Sequence, residues 1–330
     1  MAMGKTLDCM RKAALLYNPR SGGRRSQRHS DLEASLAILR NANVEAHLTL
    51  TQSREDAAER ARQAISEGCD TVLACGGDGT VHDVLQGLAG SSVRMGVIPM
   101  GTANALAHDL GVPLDPVAAT RAALSARPRR IAVGRVEFQD LQGHPANKYF
   151  AVAVGIGVDA HLFYKLQTGS KQRLGMAAYY GKAWQLWFTH HMERFHAEYE
   201  ETTTGQRHEA RVTELLAVRI RNFGGVLREL APGAALERND VRVVLCQTAN
   251  RFSYLLYVMR GLFGANWRVN GVDLVHSGRI RCDYTSSSPS RATPPRRVYV
   301  EADGELIGML PAQITVVRDA LTVLVPQRGK

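Results

Sequence analysis

Asp78 stands inside a run of glycines, Gly76-Gly77-Asp78-Gly79-Thr80, directly after Thr71-Val72-Leu73-Ala74-Cys75. An apolar and β-branched run of that kind reads as a strand buried on both faces, as the middle of a parallel sheet requires. From Val81 to Leu88 the spacing is helical. A strand that breaks into glycines and restarts as a helix leaves bare backbone N–H groups at the carboxyl end of a sheet. Open α/β folds hold phosphates there. Gly76, Gly77 and Gly79 let an oxyanion approach the main chain. A carboxylate in such a cradle repels its ligand unless it holds a cation or removes a proton. The stretch therefore predicts a nucleotide-phosphate site with a working acid in it.

Two more glycine-bearing turns follow predicted strands: Asn18 to Gly23 after Lys12–Tyr17, and Gly101 to Asn104 after Arg94–Ile98. Each alone is an ordinary βα turn; three on one sheet edge predict a ligand cleft. Ser21, Thr80 and Thr102 are hydroxyl donors placed for phosphate oxygens, and Asn18 or Asn104 suits a base or a ribose. Thr51, ending a second strand over Val44–Leu50, lines the same edge. Gly155-Ile156-Gly157-Val158-Asp159-Ala160 superficially matches a dinucleotide fingerprint. No acidic residue lies between Asp159 and Glu193 to meet a ribose, so this reads as a structural turn.

These turns need a parallel α/β frame to position them. A helix with Leu32, Leu36 and Leu39 on one face separates the first two strands. A second helix opens at Ser53, with Asp56 at capping-box spacing, and closes at Gly68. Further helices are predicted over Ala105–Leu110 and Pro116–Ala126. Strand, helix, strand, helix, strand is the grammar of a parallel sheet. From about Arg129 it changes to short alternating strands over 130–138, 148–154, 211–220, 241–245, 298–301 and 313–317, which predict an antiparallel β-sandwich. Helical stretches over 174–195 and 252–263 interrupt them, and Ser286 to Arg297 reads as a surface loop. The expected division is an α/β nucleotide-binding domain over 1–128 and a β-sandwich substrate domain over 129–330, whose last strand is able to return to the first.

A chain of 330 residues is long for one core, in keeping with two domains. No apolar run reaches the length of a bilayer span, and Met1 to Arg11 lacks the apolar core of a signal peptide. The five cysteines show no metal spacing and read as reduced thiols in a cytoplasmic protein. The net charge of +10 suits an anionic partner. Nucleic acid is not expected, because no nucleic-acid motif or basic-aromatic module is present.

Asn18-Pro19-Arg20-Ser21-Gly22-Gly23, Gly76-Gly77-Asp78-Gly79-Thr80, Pro99-Met100-Gly101-Thr102-Ala103-Asn104 and Ala302-Asp303-Gly304-Glu305, in that order, resemble the diacylglycerol kinase catalytic-domain family. Bacterial diacylglycerol and lipid kinases and the sphingosine kinases belong to it. The glycine-aspartate element is shared with NAD kinases; the Asn-Pro start and the late Asp-Gly-Glu favour the lipid kinases. The resemblance implies an ATP site between an α/β domain and a β-sandwich, and Mg²⁺-dependent transfer of the γ-phosphoryl group to a lipid hydroxyl. Asn18 to Gly23, Thr51, Gly76 to Thr80, Gly101, Thr102 and Asn104 inherit nucleotide contacts. Glu305 inherits the role of base toward the lipid hydroxyl, and Asp78 that of second carboxylate and Mg²⁺ ligand. One carboxylate can hold the metal while the other accepts the alcohol proton, and spacing does not fix which. Without the resemblance, Ala302 to Glu305 is a hairpin with an exposed acid.

The chain departs from the family's pattern at His82, Asp83 and Ala105. A further departure falls in the acidic turn that carries a structural Mg²⁺ in some bacterial members. The matching stretch, Pro232 to Asp240, puts Arg238 where a ligand aspartate would stand, and a guanidinium cannot ligate a cation. That second site is therefore expected to be missing, with Arg238 in its place. The aromatic stretches 176–188 and 252–263 either pack into a core or wall an acyl-chain groove and touch the bilayer. Arg127, Arg129, Arg130, Arg291, Arg296 and Arg297 suit anionic headgroups or a solvated face. The expectation is a cytoplasmic lipid kinase, peripheral at the inner face of the membrane, with a homodimer left open. The rivals are an NAD kinase and a non-catalytic nucleotide or lipid sensor.

Overall fold

The computed structural model describes residues 10–19, 25–158, 192–224, 230–263, 267–285 and 297–327. Arg20, Ser21, Gly22 and Gly23, most of the predicted 174–195 helix, and most of the loop after Ser286 lie outside them. The chain divides into two compact units: one of Met1–Ala132, Phe223–Gly225 and Arg318–Lys330, the other of Val133–Asn222 and Val226–Val317.

The first unit follows the expected α/β grammar. Its elements are β1 (Lys12–Tyr17), α1 (Arg25–Asn41), β2 (Glu45–Leu50), α2 (Arg54–Ser66), β3 (Thr71–Gly76), α3 (Asp78–Leu88), β4 (Arg94–Pro99), α4 (Ala105–Leu110) and α5 (Pro116–Leu124). The parallel strands lie in the order β2-β1-β3-β4. Every residue of β3 and of β4 is buried, as strands with both faces covered demand. α1 turns Arg28, Leu32, Ser35 and Leu39 inward, a stripe with helical period. On it, the Ser35 hydroxyl accepts from Thr120 of α5 at 2.9 Å. The α2 cap forms as predicted, Ser53 Oγ accepting from Asp56 N–H at 3.2 Å. The return bond runs from the Gln52 N–H to the Asp56 carboxylate at 2.8 Å.

The second unit is antiparallel. It holds most of β5 (Arg127–Gln139), then β6 (Pro145–Phe150), β7 (Ala153–Gly157), β8 (Phe195–Glu201), β9 (Arg207–Val212), β10 (Glu214–Val218), β11 (Val241–Cys246), α6 (Arg251–Phe263), β12 (Val272–Tyr284), β13 (Tyr299–Ala302) and the first part of β14 (Glu305–Val325). The ladder runs β14-β13-β7-β10-β11-β12, and β12 pairs back onto β14 from Arg279↔Thr315 to Cys282↔Ala312. The hydrogen-bonded path thus closes, with β8 and β9 extending from β12. Phe150, Val154, Phe195, Leu215, Val243, Ile280, Val300 and Leu310 form the core of this unit.

Several predicted elements change. The 148–154 strand is two strands, because the Asp303 carboxylate accepts from the N–H groups of Ala151, Val152 and Ala153 at 2.9–3.1 Å and breaks the ladder there. The 211–220 strand is also two. Thr213 at the break donates its N–H to the Cys246 carbonyl and its hydroxyl to the Thr248 carbonyl. Phe195 begins a strand and does not end a helix. β14 is 21 residues long where only 313–317 was expected. It passes from the second unit into the first, where Thr322 and Val323 pair with Arg94 and Met95 of β4.

Candidate functional site

The register of the parallel strands sets out the site. Tyr17 pairs with Leu50 and with Cys75, and Gly76 pairs with Pro99. The ladder continues one step, Thr51 N–H to the Tyr17 carbonyl and Met100 N–H to the Gly76 carbonyl, both at 2.9 Å. Thr51, Asn18, Gly77 and Gly101 therefore follow the carboxyl ends of four adjacent strands, about 14 Å from first to last. In the order β2-β1-β3-β4 the chain reverses its direction of winding between β1 and β3. The crevice of an open α/β sheet opens at that switch point. Asn18 and the Gly76–Thr80 turn flank it.

The two glycine turns after β3 and β4 touch through their backbones. A Cβ on Gly101 would lie 2.5 Å from the Gly77 Cα, and one on Gly77 would lie 3.1 Å from the Gly101 Cα. Glycine is required at 101 for this approach, while a side chain at 77 would push the turns apart by a few tenths of an ångström. A Cβ on Gly76 would run into the side chain of Thr80.

Helix α3 begins at Asp78 itself, with Gly77 as its N-cap. The Asp78 carboxylate accepts from Asn104 N–H at 2.9 Å and from Ala105 N–H at 2.7 Å. It thereby fixes the start of α4 against the start of α3, and a negative group there is favoured by both helix ends. Asn104 holds a left-handed conformation (φ 51°), and its amide is engaged within the turn: Oδ1 accepts from Gly101 N–H and Nδ2 donates to the Gly101 carbonyl, both at 3.0 Å. Its side chain shapes the turn. Thr80 is buried and Thr102 exposed. Thr51 is fully buried, and its hydroxyl has no hydrogen-bond partner.

Arg28 was not anticipated. It is buried in the stripe with Leu32, Ser35 and Leu39, and its guanidinium donates to the Met100 carbonyl at 2.8 Å, tying α1 to the turn after β4. An arginine at a core position of a helical stripe was the available signal.

In the second unit, Asp303 (φ 49°) and Gly304 (φ 83°) make the tight turn between β13 and β14, and Glu305 follows, half-buried, opposite Ala302. Gly304 N–H donates to the buried Glu301 carboxylate at 2.9 Å. Of the two acids in the Asp-Gly-Glu motif, Asp303 has the structural task.

The 232–240 loop engages its oxygens in a way the sequence did not show. Arg219, fully buried, donates to the carbonyls of Leu236 at 3.0 Å, Arg238 at 2.8 Å and Asp240 at 2.6 Å. Burial brings its pKa down to about 10, so it is charged at neutral pH. Arg238 grips both oxygens of Asp240 at 2.6 Å. Arg219, more than Arg238, supplies the positive charge that this turn encloses. With its carbonyls and its carboxylate on guanidiniums, the donor set does not fit a cation.

Among the described residues no helix is long and apolar enough to cross a membrane. Cys69, Cys75, Cys246 and Cys282 are buried free thiols.

An α/β unit with glycine turns along one sheet edge, followed by an antiparallel β unit, is the arrangement of the NAD kinase-like fold. Residues 12–136 match the model of the diacylglycerol kinase catalytic domain, and 152–325 that of the YegS C-terminal NAD kinase beta sandwich-like domain. The chain belongs to the diacylglycerol kinase catalytic-domain family, a family of lipid kinases. It is 27% identical to a diacylglycerol kinase of Bacillus subtilis over 321 residues, 96% of this chain and 97% of that one. To a Staphylococcus aureus diacylglycerol kinase it is 30% identical over 53% of each chain. The crystal structure of a diacylglycerol kinase from Bacillus anthracis superposes with a TM-score of 0.68 at 19% identity, covering 97% of this chain and 98% of that chain. Yeast NADH kinase complexed with NADH shares the fold at a TM-score of 0.50 and 10% identity, over 97% of this chain and 85% of that one.

Proposed function

We propose that this chain transfers the γ-phosphoryl group of ATP to the hydroxyl of a lipid, with diacylglycerol or a related single-hydroxyl lipid as acceptor. The observation that carries the reading is the close backbone approach of the Gly77 and Gly101 turns, on the same sheet edge where the strand two places from β3 ends at the buried, unpartnered Thr51 hydroxyl. Both turns present main chain without side chains at the sheet edge where phosphates bind.

The N–H groups at the start of α3 and the turns at Asn18–Gly23 and Gly101–Asn104 hold the nucleotide. Phosphoryl transfer needs in-line positioning and charge neutralisation more than covalent chemistry. Mg²⁺ would supply that neutralisation when bound, and Asp78 is the residue that would hold it. A carboxylate oxygen is the hard donor that Mg²⁺ takes, and the bonds from Asn104 and Ala105 N–H fix its orientation at the start of α3, so the donor chemistry fits. The lipid oxygen attacks the γ-phosphorus, its proton passes to Glu305, the bond to the β–γ bridging oxygen breaks, and ADP leaves.

The test is incubation of the purified protein with γ-labelled ATP, Mg²⁺ and a fractionated lipid extract, with the labelled product identified by mass. NAD serves as the competing acceptor. A phosphorylated lipid is the expected product; label on NAD alone, or ATP binding with no ADP release on any fraction, overturns the reading.

A further inference from the structure

Between Val241 and Val272 the chain carries four arginines, Arg242, Arg251, Arg260 and Arg268, and no aspartate or glutamate. Helix α6 lies within this stretch, and its described side chains put large apolar groups on the exposed side and an arginine on the buried one. Tyr254, Tyr257 and Arg260 face inward, each at most 9% exposed, while Phe252 is 64% and Leu256 37% exposed. Phe252 and Leu256 are four residues apart and share a face. Trp267, just beyond the helix, is 44% exposed, with exposed Arg268 beside it. Three of the five large hydrophobic side chains exposed among the described residues thus fall in one sixteen-residue segment. Soluble surfaces scatter such side chains singly.

The buried side of α6 is basic. The Arg260 guanidinium lies 5.8 Å from the ring centre of Tyr257, whose hydroxyl donates to the Leu230 carbonyl. Arg242 has a buried Nε with no hydrogen-bond partner. Burial first, and then the guanidiniums of Arg238 and Arg260, hold its pKa below the usual arginine range, against the pull of Tyr257 and Asp240. Asp240 is itself gripped by Arg238 through both oxygens. Positive charge is therefore in excess below and beside the exposed apolar side chains.

An anionic bilayer satisfies both features at once: acyl chains take Phe252, Leu256 and Trp267, headgroup phosphates take Arg251 and Arg268, and the half-buried Arg242 and buried Arg260 add positive field behind them. A second copy of this chain does not. A two-fold contact would set this face against itself and bring Arg251 and Arg268 onto their own counterparts.

We propose that α6 and the Trp267 turn are the membrane-docking face of this protein and that they take an anionic phospholipid surface. The inference deepens the lipid-kinase reading and rests on it, since a long-chain lipid hydroxyl is met at a bilayer.

The test is flotation of the full chain, without nucleotide, on vesicles of pure phosphatidylcholine and on vesicles of equal parts phosphatidylcholine and phosphatidylglycerol. The expected result is binding to the anionic vesicles alone, weakened by salt. The double variant Phe252→Ser/Leu256→Ser should lose at least roughly tenfold in partitioning, with an unchanged melting temperature because both side chains are exposed. Arg251→Gln/Arg268→Gln should lose the preference for anionic lipid. Wild-type protein that ignores anionic vesicles, or a Ser/Ser variant that floats as wild type does, overturns the proposal. So does a Ser/Ser variant whose light-scattering mass falls from dimer to monomer, since a second copy then covers the face. Binding without phosphotransfer to any lipid supports the docking face and overturns the kinase reading; phosphotransfer without binding to anionic vesicles overturns the docking face alone.

Discussion

The Asp78 carboxylate accepts the Ala105 backbone N–H at 2.7 Å, across 27 residues of chain. The acid at the centre of the glycine run is thus also the tie that sets the turn after β4. Replacing it tests two roles. Asp78→Asn keeps one acceptor oxygen but turns an amide N–H toward a backbone donor. It should abolish lipid phosphorylation and cost about 1–3 kcal/mol in urea denaturation. A variant of full stability and near-normal turnover would remove both roles.

Gly101→Ala places a methyl 2.5 Å from the Gly77 Cα. The two turns must part, at a cost of roughly 1–3 kcal/mol. Calorimetric titration should show ATP binding lost, while circular dichroism reports the parallel sheet intact. Gly68→Ala is the control: its φ is +77° but nothing lies within 4 Å of the added carbon, so it should destabilise without touching ATP affinity.

Glu305→Gln removes a proton acceptor at nearly constant side-chain size, and the bonds of Asp303 and Glu301 that hold the turn stay in place. Steady-state kinetics should show kcat lower by roughly 10²–10⁴-fold with the KM for ATP unchanged. Asp303→Asn is expected to behave oppositely, losing stability first.

Arg219→Met leaves the carbonyls of Leu236, Arg238 and Asp240 without their donor. The expected loss is about 3 kcal/mol or more. Arg219→Lys should rescue only part of it, since an ammonium lacks the planar fork. In the wild type, EDTA should leave the melting temperature of the protein unchanged. A chelator-induced drop that persists in Asp78→Asn would show that this loop holds a cation after all.

Acid should weaken the second unit in two stages. His276 Nδ1 lies 3.3 Å from Asp240 Oδ1, close enough for charge attraction but outside hydrogen-bond alignment. Burial, with Arg242 and Arg238 nearby, holds the imidazole below its ordinary 6.5 despite Asp240. The unfolded chain therefore takes up that proton more readily, and stability present above pH 6.5 declines as pH falls below it. Burial pushes Asp240 up, but Arg238 and His276 outweigh it and hold the carboxyl below its ordinary 3.8. Its contribution is present above pH 3.8 and is lost as pH drops through the lower folded value. Melting curves of His276→Gln should lose the first stage and keep the second.

The parallel half was legible in the sequence because its signals are local. A both-faces-buried strand, a glycine turn and a helical stripe each occupy a few neighbouring residues, and β3, its turn and α3 follow directly from 71–88. The row of Asn18, Thr51, Gly77 and Gly101 follows from that grammar too, since parallel strands put all their carboxyl ends on one edge. Strands β8 and β12 were missed because His196, Glu198, Arg279 and Arg281 interrupt their apolar residues. Only their partners across the sheet show which face is inside. The tertiary structure alone decided which polar groups are engaged: Asp78 on Asn104 and Ala105, Asp303 on three N–H groups 150 to 152 residues away, Arg219 on the 236–240 carbonyls. A hydrogen bond is made by atoms that meet in space. Residue type and spacing announce that a donor or acceptor is there, but chain folding selects its partner.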